Sequence, residues 1–195
     1  MSSLRSLRRR IASCRECEAY LPLGPRPVIQ VGVQARVLVI GQAPGRRVHE
    51  SGIPWDDASG RRLRAWLGVT EKTFYDDRCF ALVPMGFCFP GTGKSGDLPP
   101  RPECAPLWHG PLFDRLKRVE LTLLLSRYAQ KAYLERSVKN LTEAVKGYRV
   151  DATRLVLPHP SPRNNRWLKN NPWFELEVVP FLQDKVARLF DESHQ

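Results

Sequence analysis

Short apolar runs, rich in leucine and β-branched residues, recur along the chain and alternate with stretches of helical periodicity. Four of these runs predict strands, at residues 37–40, 80–83, 121–125 and 154–157. Runs that are apolar on both faces are typical of strands buried inside a parallel sheet. We therefore expect a central four-stranded parallel sheet.

Helical periodicity fills much of the sequence around these strands. In residues 61–67, Leu63, Trp66 and Leu67 share one face, and Gly68 follows where a helix would end. Comparable patterns occupy residues 4–10, 106–119, 127–147 and 174–190, the last expected to break or begin near Pro180. Helices alternating with strands predict an α/β fold, a three-layer α/β/α sandwich.

Length and composition agree with a single folded unit. The 195 residues are 42% hydrophobic and 26% charged, which is ordinary for a globular protein and too apolar for a disordered chain. We expect one domain over residues 1–195, in which residues 1–27 form a basic segment and a turn-rich loop. The chain has no run of ~18 apolar residues, and residues 1–10 lack the apolar part of a signal peptide, so we expect a cytoplasmic protein without a membrane span.

The charge balance is strongly basic. The 31 Lys and Arg residues against 20 Asp and Glu give a formal net charge of +11. Such an excess suggests an anionic partner, most simply nucleic acid, and a basic solubilising surface is the alternative.

The segment after the second predicted strand, residues 84–102, is a long loop rich in glycine and proline. Within it, residues 91–95 read Gly-Thr-Gly-Lys-Ser and suggest a phosphate-binding loop. That pattern requires a glycine where Cys88 stands and a helix from the Lys-Ser step, which residues 96–100, Gly-Asp-Leu-Pro-Pro, do not support. We interpret residues 91–95 as a flexible basic loop.

The chain has five cysteines, an odd number that disfavours a full disulfide framework. Cys14 and Cys17 form a Cys-x2-Cys pair, Cys88 and Cys104 lie far downstream, and Cys79 falls in a predicted strand. Four thiolates suit either a tetrahedral zinc site or an iron–sulfur cluster. The spacing does not select the metal, and four unligated cysteines are the alternative.

Several residues that could carry chemistry follow the ends of predicted strands. They include Gly41, Gly45, Trp55, Pro84 and His159. In α/β folds, ligands bind beyond the carboxyl ends of the strands, so this clustering predicts one active site.

Three motifs occur in order along the chain. They are residues 39–45, Val-Ile-Gly-Gln-Ala-Pro-Gly; residues 52–55, Gly-Ile-Pro-Trp, followed by Ser-Gly at 59–60; and residues 159–164, His-Pro-Ser-Pro-Arg-Asn. This order, with the cysteines interleaved, resembles the uracil-DNA glycosylase superfamily over residues 14–173. The first two motifs resemble its iron–sulfur families, and the last resembles the single-strand-selective monofunctional branch.

The resemblance implies a monofunctional DNA N-glycosylase that acts as a monomer on single- or double-stranded DNA. Such an enzyme hydrolyses the N-glycosidic bond of uracil, or of another deaminated or damaged base, and leaves an abasic site. The resemblance also implies a 4Fe-4S cluster held by Cys14, Cys17, Cys88 and Cys104, with structural zinc as the alternative.

The last motif supplies most of the implied DNA contacts. His159 would hydrogen-bond the base oxygen on which charge develops, and Ser161 would contact a phosphate. Arg163 and Asn164 would enter the duplex and fill the space of the flipped base, and Arg166 is available for phosphates. A solvated proline-rich turn is the alternative.

The first two motifs and the end of the second strand would bind the base. Trp55 occupies the position of the aromatic residue that stacks on the extracted base, with core packing as its alternative role. Gly41 and Ala43 belong to the turn that approaches the base closely, and Pro84 stands where the family has an asparagine that reads the base edge.

Two departures bear on the activity that the resemblance implies. Gln42 replaces the carboxylate that would activate water, and an amide can hold water without taking its proton. Pro84 has no side-chain donor or acceptor, so the substrate can differ from uracil. A carboxylate from Glu50, Asp56 or Asp57 could substitute, although solvated charge or helix capping are alternatives for these residues. A non-catalytic nucleic-acid-binding protein of the same fold is the second interpretation, and a zinc-stabilised domain of unrelated function is the third.

Overall fold

A parallel sheet with the strand order β2-β1-β5-β6 lies at the centre of the protein. The computed structural model describes residues 3–94, 96–134, 138–147, 151 and 153–191. Their strands, in chain order, are β1 (Val37–Ile40), β2 (Phe80–Leu82), β3 (Thr92–Gly93), β4 (Gly96–Asp97), β5 (Leu121–Leu124) and β6 (Arg154–Val156). The four predicted strands therefore form the central sheet, and every pairing in it is parallel.

Helices follow or precede most of these strands. They are α1 (Leu4–Ala12), α2 (Arg46–Ser51), α3 (Ala58–Leu67), α4 (Glu71–Phe74), α5 (Cys104–Phe113), α6 (Arg127–Tyr133), α7 (Leu141–Lys146), α8 (Asn165–Asn170) and α9 (Val179–Asp191). A π-helical segment, Phe174–Val178, leads into α9, so the break predicted near Pro180 lies at its start. In the described part of the chain, no helix has the length and apolar character to cross a bilayer.

The core lies on both sides of the sheet. Residues of β1, β2, β5 and β6 are almost wholly buried, and they pack against α3 and α9 and against α1 and α5. Burial of the apolar strand residues from both faces stabilises the sheet through the hydrophobic effect. The three-layer α/β/α architecture expected from the sequence is confirmed.

The predicted helix over residues 127–147 is wrong as one continuous element. The extended backbone of Leu134 ends α6, and Asn140 begins α7 by accepting a hydrogen bond from the Glu143 N–H at 3.0 Å. Residues 135–137 lie outside the described residues. The periodicity persists across the break because Leu134 and Val138 also pack against the core.

The structure also differs from the prediction around residues 79–119. The helix expected over residues 106–119 begins at Cys104 and ends at Phe113, and the turn beyond it still directs Leu116 and Val119 at the core. The loop over residues 84–102 contains the β3–β4 hairpin, which brings its last residue, Asp97, back toward the sheet; Ser95 lies outside the described residues. Cys79 precedes β2 rather than lying within it.

Candidate active site

A cleft of about 400 Å³ opens at the carboxyl ends of the central strands. The turn after β1 forms one wall, and the segments after β2 and β6 form others. Most of the predicted site residues line it: Gly41, Gln42, Ala43, Trp55, Asp57, Pro84, His159, Ser161, Arg163 and Asn164. Asp56 and Arg166 are not among the lining residues. Parallel strands thus bring distant motifs together, as expected for ligand sites in open α/β sheets.

Trp55 has a strained backbone. Among the described residues it is the one non-glycine residue in the left-handed region, with φ of 60°. This conformation costs about 1–3 kcal/mol and is concentrated at functional sites. Gly41 and Gly60 make room for it, because a Cβ on Gly41 would lie 3.0 Å from the indole ring and one on Gly60 would overlap the Trp55 carbonyl. The glycines of the first two motifs therefore hold Trp55 in the cleft.

His159 lies opposite Trp55. The two ring centroids are 5.6 Å apart, and the ring planes are inclined by 28°. Burial lowers the pKa of His159 below its usual range; the charge of Asp57 partly opposes this, and that of Arg163 adds to the lowering. The imidazole is therefore neutral at pH 7, with one N–H available as a hydrogen-bond donor.

The loop that carries His159 is held by hydrogen bonds to its backbone. The Asn164 side chain donates to the His159 carbonyl at 2.8 Å, so this amide is engaged within the loop. Arg62 of α3 donates to the Ser161 carbonyl at 3.4 Å and to the Asn165 side chain at 2.8 Å. Nothing in a helical pattern marks which of Arg61, Arg62 and Arg64 reaches a distant loop, so this contact of Arg62 could not be located from the sequence.

Three carboxylates, Glu50, Asp56 and Asp57, could replace the one that is missing at Gln42, and they lie in different places. Asp57 lines the cleft, and its Oδ1 atom caps α3 by accepting from the Gly60 N–H at 2.8 Å. Asp56 lies 3.7 Å from Arg47 and outside the lining, and Glu50 pairs with Arg46 at 3.0 Å. Of the three, Asp57 is therefore the one that faces the cleft.

The cleft also contains a carboxylate that sequence reasoning missed. Asp97, at the end of β4, lines it opposite the turn after β1. Its Oδ2 atom lies 3.4 Å from the position that a Cβ on Gly45 would occupy. The Gly-Asp pair at the end of the glycine-rich segment was the one sequence signal for this residue. The hairpin itself could not be predicted, because strands of two residues have no periodicity.

The cleft wall at Pro84 is fixed from behind by a buried histidine. His109 of α5 contacts the Pro84 carbonyl through Nε2 at 2.9 Å and the Tyr133 hydroxyl through Nδ1 at 2.5 Å. The N–H groups of Met85 and Gly86 are bonded to carbonyls of the turn after β1. These backbone groups of the wall are thus hydrogen-bonded within the protein. Sequence reasoning missed His109 because it lies on an apolar helix.

His109 should make stability depend on pH. Burial lowers its pKa to about 4, below the unfolded value of 6.5. The contribution of the neutral His109 to the free energy of unfolding is fully present above pH 6.5. It is lost as the pH falls toward 4, because the unfolded chain then binds the proton more readily than the folded chain. The loss between pH 7 and pH 4 is about 3 kcal/mol, at ~1.36 kcal/mol per pKa unit.

Urea unfolding at both pH values, with H109Q as the comparison, measures this contribution. Glutamine keeps a donor for the Pro84 carbonyl but does not titrate, so subtracting its pH dependence removes the effect of other groups. An equal fall in the free energy of unfolding in both proteins would contradict the assignment to His109.

A second, small cavity is bordered by four of the five cysteines. Cys14 and Cys17 approach it from the N-terminal segment, and Cys88 and Cys104 from the loop after β2 and the start of α5. All five cysteines are free, and Cys79 lies elsewhere. Within the described residues, no three His, Cys, Asp or Glu side chains are grouped closely enough to hold a single metal ion.

Burial disfavours an uncompensated thiolate at these cysteines, but two N–H donors lie beside them. Burial raises the pKa of the Cys88 thiol to about 11 and that of the Cys104 thiol to about 12, so both are neutral unless a cation stabilises the thiolate. The Phe87 N–H lies 3.3 Å from the Cys104 sulfur. Arg101 also borders the cavity, and its buried Nε atom has no hydrogen-bond partner in the described part of the chain. Donors of this kind stabilise ligated thiolates.

The parallel sheet, the glycine-rich turn after β1 and the histidine loop after β6 have the arrangement of an α/β DNA glycosylase. The sequence comparison agrees: residues 29–183 match the family model of the Uracil DNA glycosylase superfamily. Because the match spans well over half of the chain, the protein belongs to this superfamily. Membership implies DNA as the partner and glycosylase-type hydrolysis as the reaction class.

Proposed function

We propose that this protein is a monofunctional DNA glycosylase that removes uracil, or another deaminated or damaged base, and leaves an abasic site. The observation that carries the proposal is the pairing of a neutral His159 with Trp55 across one cleft, with Gln42 in the adjoining turn. Together they provide a donor for a departing base, an aromatic surface and an amide that can hold water. None of the described lining residues is a lysine, the residue type that forms Schiff bases with carbonyl groups.

The first step is extrusion of the target nucleotide into the cleft. Stacking of the base on Trp55 contributes about 1–3 kcal/mol toward the cost of leaving the duplex. Ser161, on the loop after β6, would contact a flanking phosphate, and Arg166, which is not among the lining residues, would contact another. The left-handed backbone of Trp55 fixes its ring before the base arrives, which reduces the entropy lost on binding.

Cleavage then produces a base with negative charge and a sugar with oxocarbenium character. The neutral His159 would donate its N–H to the base oxygen on which charge develops, and a donor already in place stabilises the transition state with little reorganisation. Gln42 would hold the attacking water. Because the Pro84 wall presents no side-chain hydrogen-bonding group, we propose a base specificity that is not restricted to uracil.

We also propose that the four cysteines hold a 4Fe-4S cluster. A single zinc ion requires all four sulfurs at about 2.3 Å from one centre, whereas the thiolates of a cluster bind separate iron atoms and lie farther apart. We propose the cluster rather than zinc because the order of the four cysteines, interleaved with the first two motifs, resembles the iron–sulfur families of the superfamily. The cluster would tie the N-terminal loop to the loop after β2, and Arg101, whose guanidinium also pairs with Glu103 at 2.7 Å, would supply an N–H donor beside it.

The experiment that tests the proposed activity is a base-excision assay with a panel of oligonucleotides. We expect excess protein to release the base from at least one of uracil, hypoxanthine and xanthine substrates, in single-stranded or mismatched DNA, as strand breaks after alkali. An undamaged strand of the same sequence serves as the control. Salt-sensitive binding without release from any substrate would favour a non-catalytic nucleic-acid-binding protein, the alternative that Gln42 and Pro84 motivate.

A further inference from the structure

We propose that Asp97 is the catalytic base that takes the proton of the attacking water. The proposal rests on the glycosylase function proposed above and adds a residue from outside the three sequence motifs. Asp97 belongs to the β3–β4 hairpin, which is formed by the segment whose sequence suggested a phosphate-binding loop.

The hydrolysis needs a proton acceptor that the first motif does not supply. Gln42 and Ala43 occupy the turn after β1, and neither side chain accepts a proton at neutral pH. The carboxylates of the neighbouring segment are engaged: Glu50 with Arg46, Asp56 with Arg47, and one oxygen of Asp57 with the N-terminus of α3.

Asp97 is free for this role. In the described part of the structure its carboxylate has no ion-pair partner, and its closest hydrogen-bonding contact is the Thr92 hydroxyl, 3.5 Å from Oδ1. The Oδ2 atom lies over Gly45, in the turn that carries Gln42. One carboxylate oxygen therefore faces the part of the cleft where Gln42 would hold water.

The hairpin is also held against the loop that carries His159. The guanidinium group of Arg163 packs directly on Gly96, the residue before Asp97, where a Cβ would overlap it. The hairpin thus lies between the turn after β1 and the loop after β6, and it carries Asp97 to the cleft between them.

Asp57 and Asp97 line the cleft from different elements. Asp57 lies at the start of α3, where one of its oxygens caps the helix and its charge acts on His159. Asp97 has Oδ2 over Gly45, in the turn that carries Gln42, which would hold the water. A general base must lie within hydrogen-bond reach of the proton that it takes, so we assign this role to Asp97.

The step balances without any further reactant. As the bond between the anomeric carbon and the base nitrogen breaks, its electron pair leaves with the base, and the His159 N–H stabilises the resulting anion. The water oxygen forms the new bond to the anomeric carbon, and its proton moves to Oδ2 of Asp97. Protonation of the released base and deprotonation of Asp97 by solvent restore the starting state.

Single-turnover excision by D97N tests the proposal, on the substrate that the wild-type protein cleaves best. We expect the rate to fall about 100-fold or more, the usual contribution of a general base. DNA affinity should be unchanged or slightly higher, because the substitution removes a negative charge facing DNA. Formate should restore part of the activity of D97A, since it can occupy the vacated position as a proton acceptor.

The matched control is D184N, which removes one carboxylate from an Arg188 pair on α9. It should excise at the wild-type rate, and thermal unfolding of both variants checks that the fold is retained. A wild-type rate for D97N, or a loss explained by weaker binding alone, would overturn the role of Asp97 and leave the glycosylase function intact. Absence of product from the wild-type protein on every substrate would overturn both.

Discussion

Replacing His159 with alanine should lower the single-turnover rate of base excision by about 100-fold or more. The imidazole is held opposite Trp55, with centroids 5.6 Å apart, and no other histidine lines the described part of the cleft. Removing one preorganised donor to a developing anion costs ~10²–10³ in rate, because water cannot replace a fixed donor without reorganising. Substrate affinity should change far less, since the interaction strengthens only as the bond breaks.

The comparison variant is H159Q, which keeps an N–H donor of similar reach and should retain more activity than H159A. The pH dependence gives an independent check. Because the pKa of His159 is lowered, the midpoint of any titration of this residue in the wild-type rate should lie below the range from pH 6.5 to pH 8. A step in that range that disappears in H159A would show that the charged imidazole is the active form; equal rates for H159A and the wild type would exclude His159 from catalysis.

Replacing Cys88 with alanine should abolish the brown colour of protein purified without oxygen and should destabilise the fold. A cluster that joins residues 14–17 to residues 88–104 cross-links the chain much as a disulfide does. The loss should therefore be about 2–5 kcal/mol. At ~2–4 °C per kcal/mol for a chain of this size, Tm should fall by roughly 4–20 °C.

Cys79 offers the matched control, because it is a free cysteine outside the cavity that the other four border. C79A should have the same iron content and visible absorbance as the wild-type protein. Metal analysis of both variants and the wild type decides the outcome. A colourless wild-type protein with one zinc per chain would contradict the cluster, and unchanged iron in C88A would remove Cys88 from the ligands.

The central elements of the fold could be predicted because their signals are local. Residues 37–40 are apolar on both faces and form β1 with the predicted bounds, and Gly68 ends α3 in the left-handed conformation expected of it. The break between α6 and α7 could not be predicted, because the residues beside it still face the core. Periodicity reports which side of the chain is buried, and a turn that keeps the same side buried leaves no trace in it.

The candidate site, like the fold, could be predicted only in part. Its motifs could be located because each short segment has a composition that a tight turn demands, and parallel strands bring such turns to one edge of the sheet. The cleft contacts of Asp97, Arg62 and His109 could not be located, because each depends on a segment far away in sequence.

The sequence by itself determined the fold class, the superfamily and the order of the motifs, since apolar runs, glycine-rich turns and short motifs are properties of adjacent residues. Tertiary structure decided which carboxylates face the cleft: Asp57 caps α3 and also lines the cleft, Asp56 pairs with Arg47, and the β3–β4 hairpin brings in Asp97. The physical reason is that the position of a charge depends on how separate elements pack, and packing is set by the whole core rather than by the residues next to that charge.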